Sequence, residues 1–338
     1  MSTAEQVANK AAFRSYLGAF AHPNETASKQ AVRDFFASDA TINIVHPFNE
    51  LRGPDGYLEQ FLDTLLVSFN GLYRRDYIAM AGTYDNGDWV SSTGYWVGNF
   101  RKDWLGIKAP GRLCYLRVGE FHRFENGKVV ESYIYLDIPE LMIACGQWPD
   151  DIKSPAKIAG YTGYLPGPAT QDGLLWGPTD PGRSAQSLDL VQRMLLGLAT
   201  PDEQWRPFWH ENMVWYGPAA FGSFLGVEDF HSFQVPFEGL FSHWHGGSKP
   251  ESETRHFIRM GEGDYVCSGG WPSLNAHQIK PFLGQAATNK TLYMRVCDWW
   301  RADGDLLVEN WVFVDIPHVL LQMGRDIFAE LNDTPEAE

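Results

Sequence analysis

In the segment Val118-Gly119-Glu120-Phe121-His122 a carboxylate and an imidazole stand two residues apart. On a strand, where side chains alternate between faces, both project to the same side. His46, directly before Pro47, ends another predicted strand and supplies a second imidazole. A glutamate with two histidines in an apolar, ring-walled pocket suits proton transfer next to a carbonyl. Burial raises the carboxylate's pKa toward neutrality, and a histidine polarises the carbonyl or returns the proton. Glu120 is therefore the candidate general base, with His46 and His122 as proton-carrying partners and Trp96, Val118 and Ile134 as candidate walls. The plainer alternative is that Glu120 salt-bridges a neighbour and His46 satisfies a loop carbonyl.

Other chemistries find little support. His243-Trp244-His245 could place two imidazoles on one strand face, but no third ligand is evident and no metal is expected. Neither GxGxxG nor GxxxxGK[ST] occurs, which leaves no signature for dinucleotide or nucleotide phosphates, and no GxSxG elbow marks a serine hydrolase. No cofactor is implied. With a net charge of −15 and no Lys/Arg run, the chain lacks the basic surface that nucleic acid requires. Four cysteines, Cys114, Cys145, Cys267 and Cys297, stand far apart without a CxxC and fit a reducing compartment. Met1–Lys10 lacks the basic-then-apolar order of a signal peptide, and no apolar run reaches the length of a membrane span. The expectation is a cytoplasmic protein.

The candidate residues sit in a repeated unit. Shifted by 178 positions, Leu113–Pro139 falls on Thr291–Pro317 without a gap, and nine of 27 positions are identical. Upstream, GDWVSSTGYW (Gly87–Trp96) resembles GDYVCSGGWP (Gly263–Pro272), and His46–Gly53 aligns loosely with Gly217–Gly226. Each copy opens on an amphipathic helix: Phe13, Tyr16, Leu17 and Phe20 in the first, Leu188, Val191, Leu195 and Leu198 in the second. Thr3 and Gln6 form a possible capping box for the first. Short strands follow at Thr41–Val45 and Met213–Tyr216. Long aromatic strands then end in hairpins at Asn126-Gly127 and Asp303-Gly304, and Asp137 and Asp315 stand where a last helix begins. The units are expected at residues 1–150 and 184–338. The Pro/Gly-rich stretch 151–183 interrupts helix and strand alike, so it reads as a linker packed across both. Thirteen Trp, 14 Tyr and 21 Phe in 338 residues suit either ring-lined pockets or ordinary β-rich packing.

HPFNELRGPDGY, the WLG and FLG before the two hairpins, RFENGKVVES and the closing GQWPDD together resemble the SnoaL-like polyketide cyclases. Those belong to the superfamily with a nuclear-transport-factor-2-like fold. The resemblance covers most of both halves, GQWPDD occurring only in the first. It implies an α+β fold: two tandem cones, each a curved antiparallel sheet wrapped by helices. It also implies a cofactor-independent acid/base enzyme, a cyclase, isomerase or lyase acting on an apolar carbonyl compound. The family's polar residue before a proline matches His46, its strand histidine matches Glu120, and its catalytic carboxylate matches Ile134. In the second copy the same positions are Gly217, Asp298 and Val312.

The second copy also has Trp300 in place of His122, which leaves Asp298 among rings. Asp298 and Trp300, with Trp215 and Trp271, are candidate ligand-binding residues, and the working pocket is expected in the first copy. A three-residue hairpin loop would pair Glu120 with Ser132 and set Ile134 near Val118; a two-residue turn would pair Glu120 with Tyr133. The first is preferred because it gathers the pocket positions on one face. The opposite face, with Arg117, Tyr133 and Tyr135 against Arg295, Trp311 and Phe313, is expected to pack the sheets together or onto a partner chain. The alternative function is a non-enzymatic protein on the same fold, serving small-ligand binding or assembly.

Overall fold

At the hairpin tip expected at Asn126-Gly127, both residues take positive φ, 50° and 75°. That is the backbone a two-residue turn between right-twisted strands requires. The two-residue turn does not carry its register up the hairpin, because the pairing shifts between Arg123 and Phe124. Beyond that bulge Glu120 lies opposite Ile134, and His122 opposite Ser132. Both expected registers are thus corrected. The one extra residue restores the parity of the preferred one, so Val118, Glu120, His122, Ser132 and Ile134 do share a face.

The computed structural model describes residues 4–154, 163–200, 202–246 and 255–333. Thr3, the expected helix cap, lies outside them. The first half runs α1 (Ala4–Gly18), α2 (Glu25–Phe35), β1 (Phe36–Ile44), β2 (Asn49–Arg52), α3 (Gly53–Tyr57), a π-helical turn Leu58–Leu62, α4 (Asp63–Ser68), β3 (Phe69–Tyr84), β4 (Gly87–Phe100), β5 (Leu113–Glu125), β6 (Lys128–Leu136) and α5 (Ile138–Ala144). Its six strands follow the order β2-β1-β6-β5-β4-β3, antiparallel except for β1 against β6. The helices lie where apolar positions demand cover: α1 buries Phe13, Tyr16 and Leu17, and α2 starts on Asn24, whose side chain accepts from the Ala27 N–H at 3.1 Å.

The second half repeats this plan. It comprises α6 (Pro181–Leu196), β7 (Trp209–Tyr216), β8 (Ser223–Leu225), α7 (Val227–Glu238), β9 (Phe241–Gly246), β10 (His256–Glu262), β11 (Tyr265–Gln278), β12 (Thr291–Asp303), β13 (Leu306–Val314), α8 (Ile316–Gln322) and α9 (Ile327–Asp333). Read from β8, the order β8-β7-β13-β12-β11-β10 matches that of the first sheet, with β9 also pairing β11. Among the described residues α2 has no counterpart. Where the first half places α2 ahead of β1, the second has only the 3-10 turn Arg206–Phe208 ahead of β7.

The sheets meet through the faces opposite the candidate sites. Phe121 stacks on Trp299 at 4.8 Å and Tyr133 on Phe257 at 3.6 Å, centroid to centroid. Arg117 lies over Phe313 of the other sheet, 4.0 Å from the ring centre, and Arg295 covers Trp271 within the second sheet at 4.1 Å. The Trp299 indole donates to Ser91 Oγ at 2.9 Å. Trp311 is instead drawn under the connecting segment, donating to the Pro166 carbonyl at 2.9 Å. That segment bonds to both halves: Ala79 N–H donates to the Gly173 carbonyl, Leu175 N–H to the Ala79 carbonyl, and Ala169 N–H to Glu309. Lys10 of α1 pairs with the buried Glu262 of β10.

Gly119 permits the closest approach of the sheets. A Cβ there would stand 2.5 Å from the Trp299 ring. Gly119→Ala is therefore expected to lower the unfolding free energy by about 1–3 kcal/mol, the usual range for overpacking. Urea denaturation checks this, and an unchanged midpoint would contradict the packing.

Candidate functional site

In the first half, β5 delivers Glu120 and His122 to the concave face, and β3 delivers Arg74 and Asp76 to meet them. Arg74 donates to Glu120 Oε1 at 2.5 Å and to Asp76 Oδ1 at 2.6 Å, while its guanidinium lies 4.6 Å from the Trp96 ring centre. His122 bridges Glu120 Oε2 at 3.3 Å and Ser132 Oγ at 2.7 Å. The rings of Phe13, Tyr16, Phe35 and Phe36 close over the imidazole, with centroids 5.1 to 6.4 Å away. Glu120, His122, Val118 and Ile134 are all fully buried. Burial pushes the Glu120 carboxyl up, but the Arg74 charge, followed by the hydrogen bond and charge of His122, outweighs it and holds the group down at about 2.

These contacts correct the first assignment. A carboxylate clamped by a guanidinium and held near pKa 2 is a poor base at neutral pH. His46 does not join it: its backbone N–H donates to Asp315 Oδ2 at 3.0 Å, and its ring packs 5.6 Å from that of Phe328 in the second half. Glu120 and His122 do come together, with Trp96 beside them, as a filled, charge-paired core. The residue that sequence reasoning missed is Arg74. Its signal was available in Tyr73-Arg74-Arg75-Asp76-Tyr77, where period two sets Arg74 and Asp76 on one face of a ring-rich strand.

The second half is open at the matching place. A cavity of about 180 Å³ lies between its sheet and helices, walled by Trp215, Phe230, Phe233, Trp300 and Val312. Asp298, Asn310, Ser268, Arg259 and His256 are among its polar groups, with Gln234, Glu238 and Ser273 also in the lining. Among the described residues no counterpart of α2 brings in a ring as Phe35 does in the first half. Asp298 is partly accessible as part of the cavity wall. Its Oδ1 accepts from Asn310 Nδ2 at 3.3 Å, and Asn310 is held by a second bond to the Trp299 carbonyl at 3.0 Å. Burial raises the Asp298 pKa to about 7, the Asn310 bond and the Arg259 charge drawing it only part of the way back. His256, hydrogen-bonded to Ser273 Oγ at 3.1 Å, is lowered to about 3 by burial and then by Arg259, so its ring is neutral.

Trp215, Asp298 and Trp300 thus line one cavity. Trp271 does not: it faces the first half, packed on Tyr133 and Tyr135 beneath Arg295. Its position beside Pro272, at the end of a segment matched between the copies, gave no hint of that side. His243 contacts Ser242 and His277, and the side chain of His245 lies outside the described residues. Among the described residues no group of three His, Cys, Asp or Glu could hold a metal ion, and no helix is long and apolar enough to cross a membrane.

Two opposite pH responses follow. Glu120, lowered from an ordinary 4.5 to about 2, stabilises the fold above pH 4.5, and that contribution fades as pH falls toward 2. Glu120→Gln leaves the Arg74 guanidinium buried without this partner and is expected to cost about 3–5 kcal/mol at pH 7. Asp298, raised from 3.8 to about 7, does the reverse: the folded state holds a proton that the unfolded chain has released. Relative to Asp298→Asn, the wild type should lose stability from pH 4 to pH 7 and then level off. Thermal melts of both variants across pH 3–8 measure these slopes, and parallel curves for wild type and Asp298→Asn would contradict the raised pKa.

Residues 14–144 match the family described as SnoaL-like polyketide cyclase. No curated protein matches the chain. Among solved structures, AclR of Streptomyces galilaeus, described as a candidate hydroxylase, is 16% identical over 42% of this chain and 97% of its own, with a TM-score of 0.35. IdmH of Streptomyces antibioticus, described as a candidate polyketide cyclase, is 18% identical over 40% and 96%, with a TM-score of 0.34. An NTF2-like protein of Burkholderia thailandensis is 18% identical over 42% and 98%, with a TM-score of 0.32. Similarities at this level bear on neither substrate nor reaction. The family match lies within the first half of the chain, and the second half repeats the topology of the first.

Proposed function

We propose that the chain is a cofactor-independent acid/base enzyme of the SnoaL-like type whose working pocket is the cavity of the second half, with Asp298 as the proton-transferring group. The observation that carries this reading is Asp298 itself, a carboxyl in the wall of an apolar cavity with a pKa of about 7. At neutral pH it is part acid and part base, the condition in which one group can both take a proton from carbon and return one. Arg259 stands at the same polar patch and can stabilise an oxygen that gains negative charge as the proton leaves, while Asn310 holds the carboxyl in place. The aromatic walls favour an apolar carbonyl compound whose acidic C–H faces the carboxylate. The filled first half then acts as a scaffold.

A generic probe reaches this chemistry without knowledge of the natural substrate. Incubated in D₂O with a panel of cyclic ketones and 1,3-diketones, the protein should speed α-proton exchange for a subset, followed by NMR. Asp298→Asn should slow that exchange by at least about a hundredfold, the lower end for loss of a general base. Trp215→Ala should weaken binding of the same compounds. Compounds that bind in the cavity without exchanging faster than in buffer would sink the enzymatic reading and favour a ligand carrier.

A further inference from the structure

The size of the second-half cavity and the way its walls are tied together limit what it can hold. At about 180 Å³ it is little larger than an apolar protein cavity of about 150 Å³ that takes one benzene. Pockets for drug-sized ligands usually span about 300–1,000 Å³. The walls have little freedom to retreat. Ala199 N–H, just past α6, and Gln234 Nε2, on α7, both donate to Glu238 Oε1, at 2.9 and 2.7 Å. The Trp244 indole of β9 donates to the Glu238 carbonyl at 3.0 Å. One residue of α7 thereby joins two helices and a strand around the cavity. Trp215, Phe233 and Phe237 form a chain of ring contacts along the wall, with centroids 5.1 and 5.4 Å apart.

The polar groups are restricted in position as well. Arg259 on β10 lies opposite Ser268 on β11, and Ser268 lies opposite Asp298 on β12, so the three form one row across the sheet. Asn310 is fastened to the Asp298 carboxyl. Away from the row, Gln234 is turned to Glu238 and His256 to Ser273 Oγ. Rings and aliphatic side chains make up much of the remaining wall. Taking this cavity as the working pocket proposed above, we infer that its ligand is a compact carbonyl compound of one ring or two fused rings, oxygenated along one edge, with that edge laid on the Arg259–Ser268–Asp298 row. The flat faces of such a ring system meet the Trp215 and Phe233 rings. A third fused ring has to displace the ring chain or the junction at Glu238, which overpacks the wall. A second oxygenated edge exchanges its water for contacts with carbon, which is unfavourable.

The test measures binding separately from turnover. The full-length protein is titrated by calorimetry with tetralone, tetralone bearing a hydroxyl on its far ring, anthrone and a four-ring steroid ketone. Tetralone should bind at least about tenfold more tightly than anthrone or the steroid, the affinity ratio at the lower end of an overpacking penalty. The far hydroxyl should weaken tetralone binding. Phe233→Leu should close most of the gap for anthrone, and Met194→Ala, on α6, removes bulk from the same cavity wall in case Phe233→Leu does not fold. Anthrone or the steroid bound as tightly as tetralone, a far hydroxyl that tightens binding, no binding by any of the series, or a gap unmoved by these variants would each overturn the inference. Binding in the expected order without α-proton exchange would uphold it and count against the enzymatic reading alone.

Discussion

Asp137 and Asp315 each bind in two directions, and the arrangement of the two halves depends on it. One oxygen caps the helix that follows the hairpin in its own half, accepting from Glu140 N–H or His318 N–H, both at 3.2 Å. The other reaches into the opposite half, to Ala219 N–H at 2.9 Å or His46 N–H at 3.0 Å. An arginine of the hairpin, Arg117 or Arg295, stands beside each carboxylate; Arg117 covers Phe313 of the facing sheet, and Arg295 covers Trp271 of its own. Burial raises the pKa of both aspartates, and the arginines with the backbone donors counter it. Helix position, sheet spacing and relative orientation are thus set by the same four side chains. The identities between the copies at Arg117/Arg295 and Asp137/Asp315 are interface identities.

The faces turned away from that interface diverge, and there neighbours rather than position decide the chemistry. Glu120 and Asp298 occupy the same strand position, yet one is held down at about 2 and the other is raised to about 7. The difference lies in what each half packs around the carboxylate. An arginine in direct contact and a ceiling of rings make Glu120 an internal counter-ion. Open space, one amide and a more weakly acting arginine make Asp298 a titrating group near neutrality.

Much of the architecture could be read from the residues. Gapless matching of the hairpins, the capping positions of Asp137 and Asp315, and the interface rings all follow from local pattern. The carboxylate position was legible too, but which copy would use it was not. His46 and His122 drew attention as proton carriers, whereas the deciding partner, Arg74, comes from β3, 46 residues before Glu120 in the chain. A cavity is harder still to foresee, because it arises here where the helix α2 has no equivalent rather than from any residue present. The hairpin register eluded both simple turn rules since a bulge adds one residue after a two-residue turn.

The connecting segment has a consequence for behaviour on dilution. Face-to-face sheets held by stacked rings and buried arginines are the kind of contact that separate subunits lose when their concentration falls. Here the contact is covalently tethered, and residues such as Gly173 and Leu175 add strand-like bonds to the first sheet along the way. Association becomes an intramolecular event at a fixed effective concentration. Within one chain, each half faces a partner of different sequence. That freedom from self-matching allows one half to stay filled while the other opens, a division of labour that two identical subunits related by symmetry could not adopt.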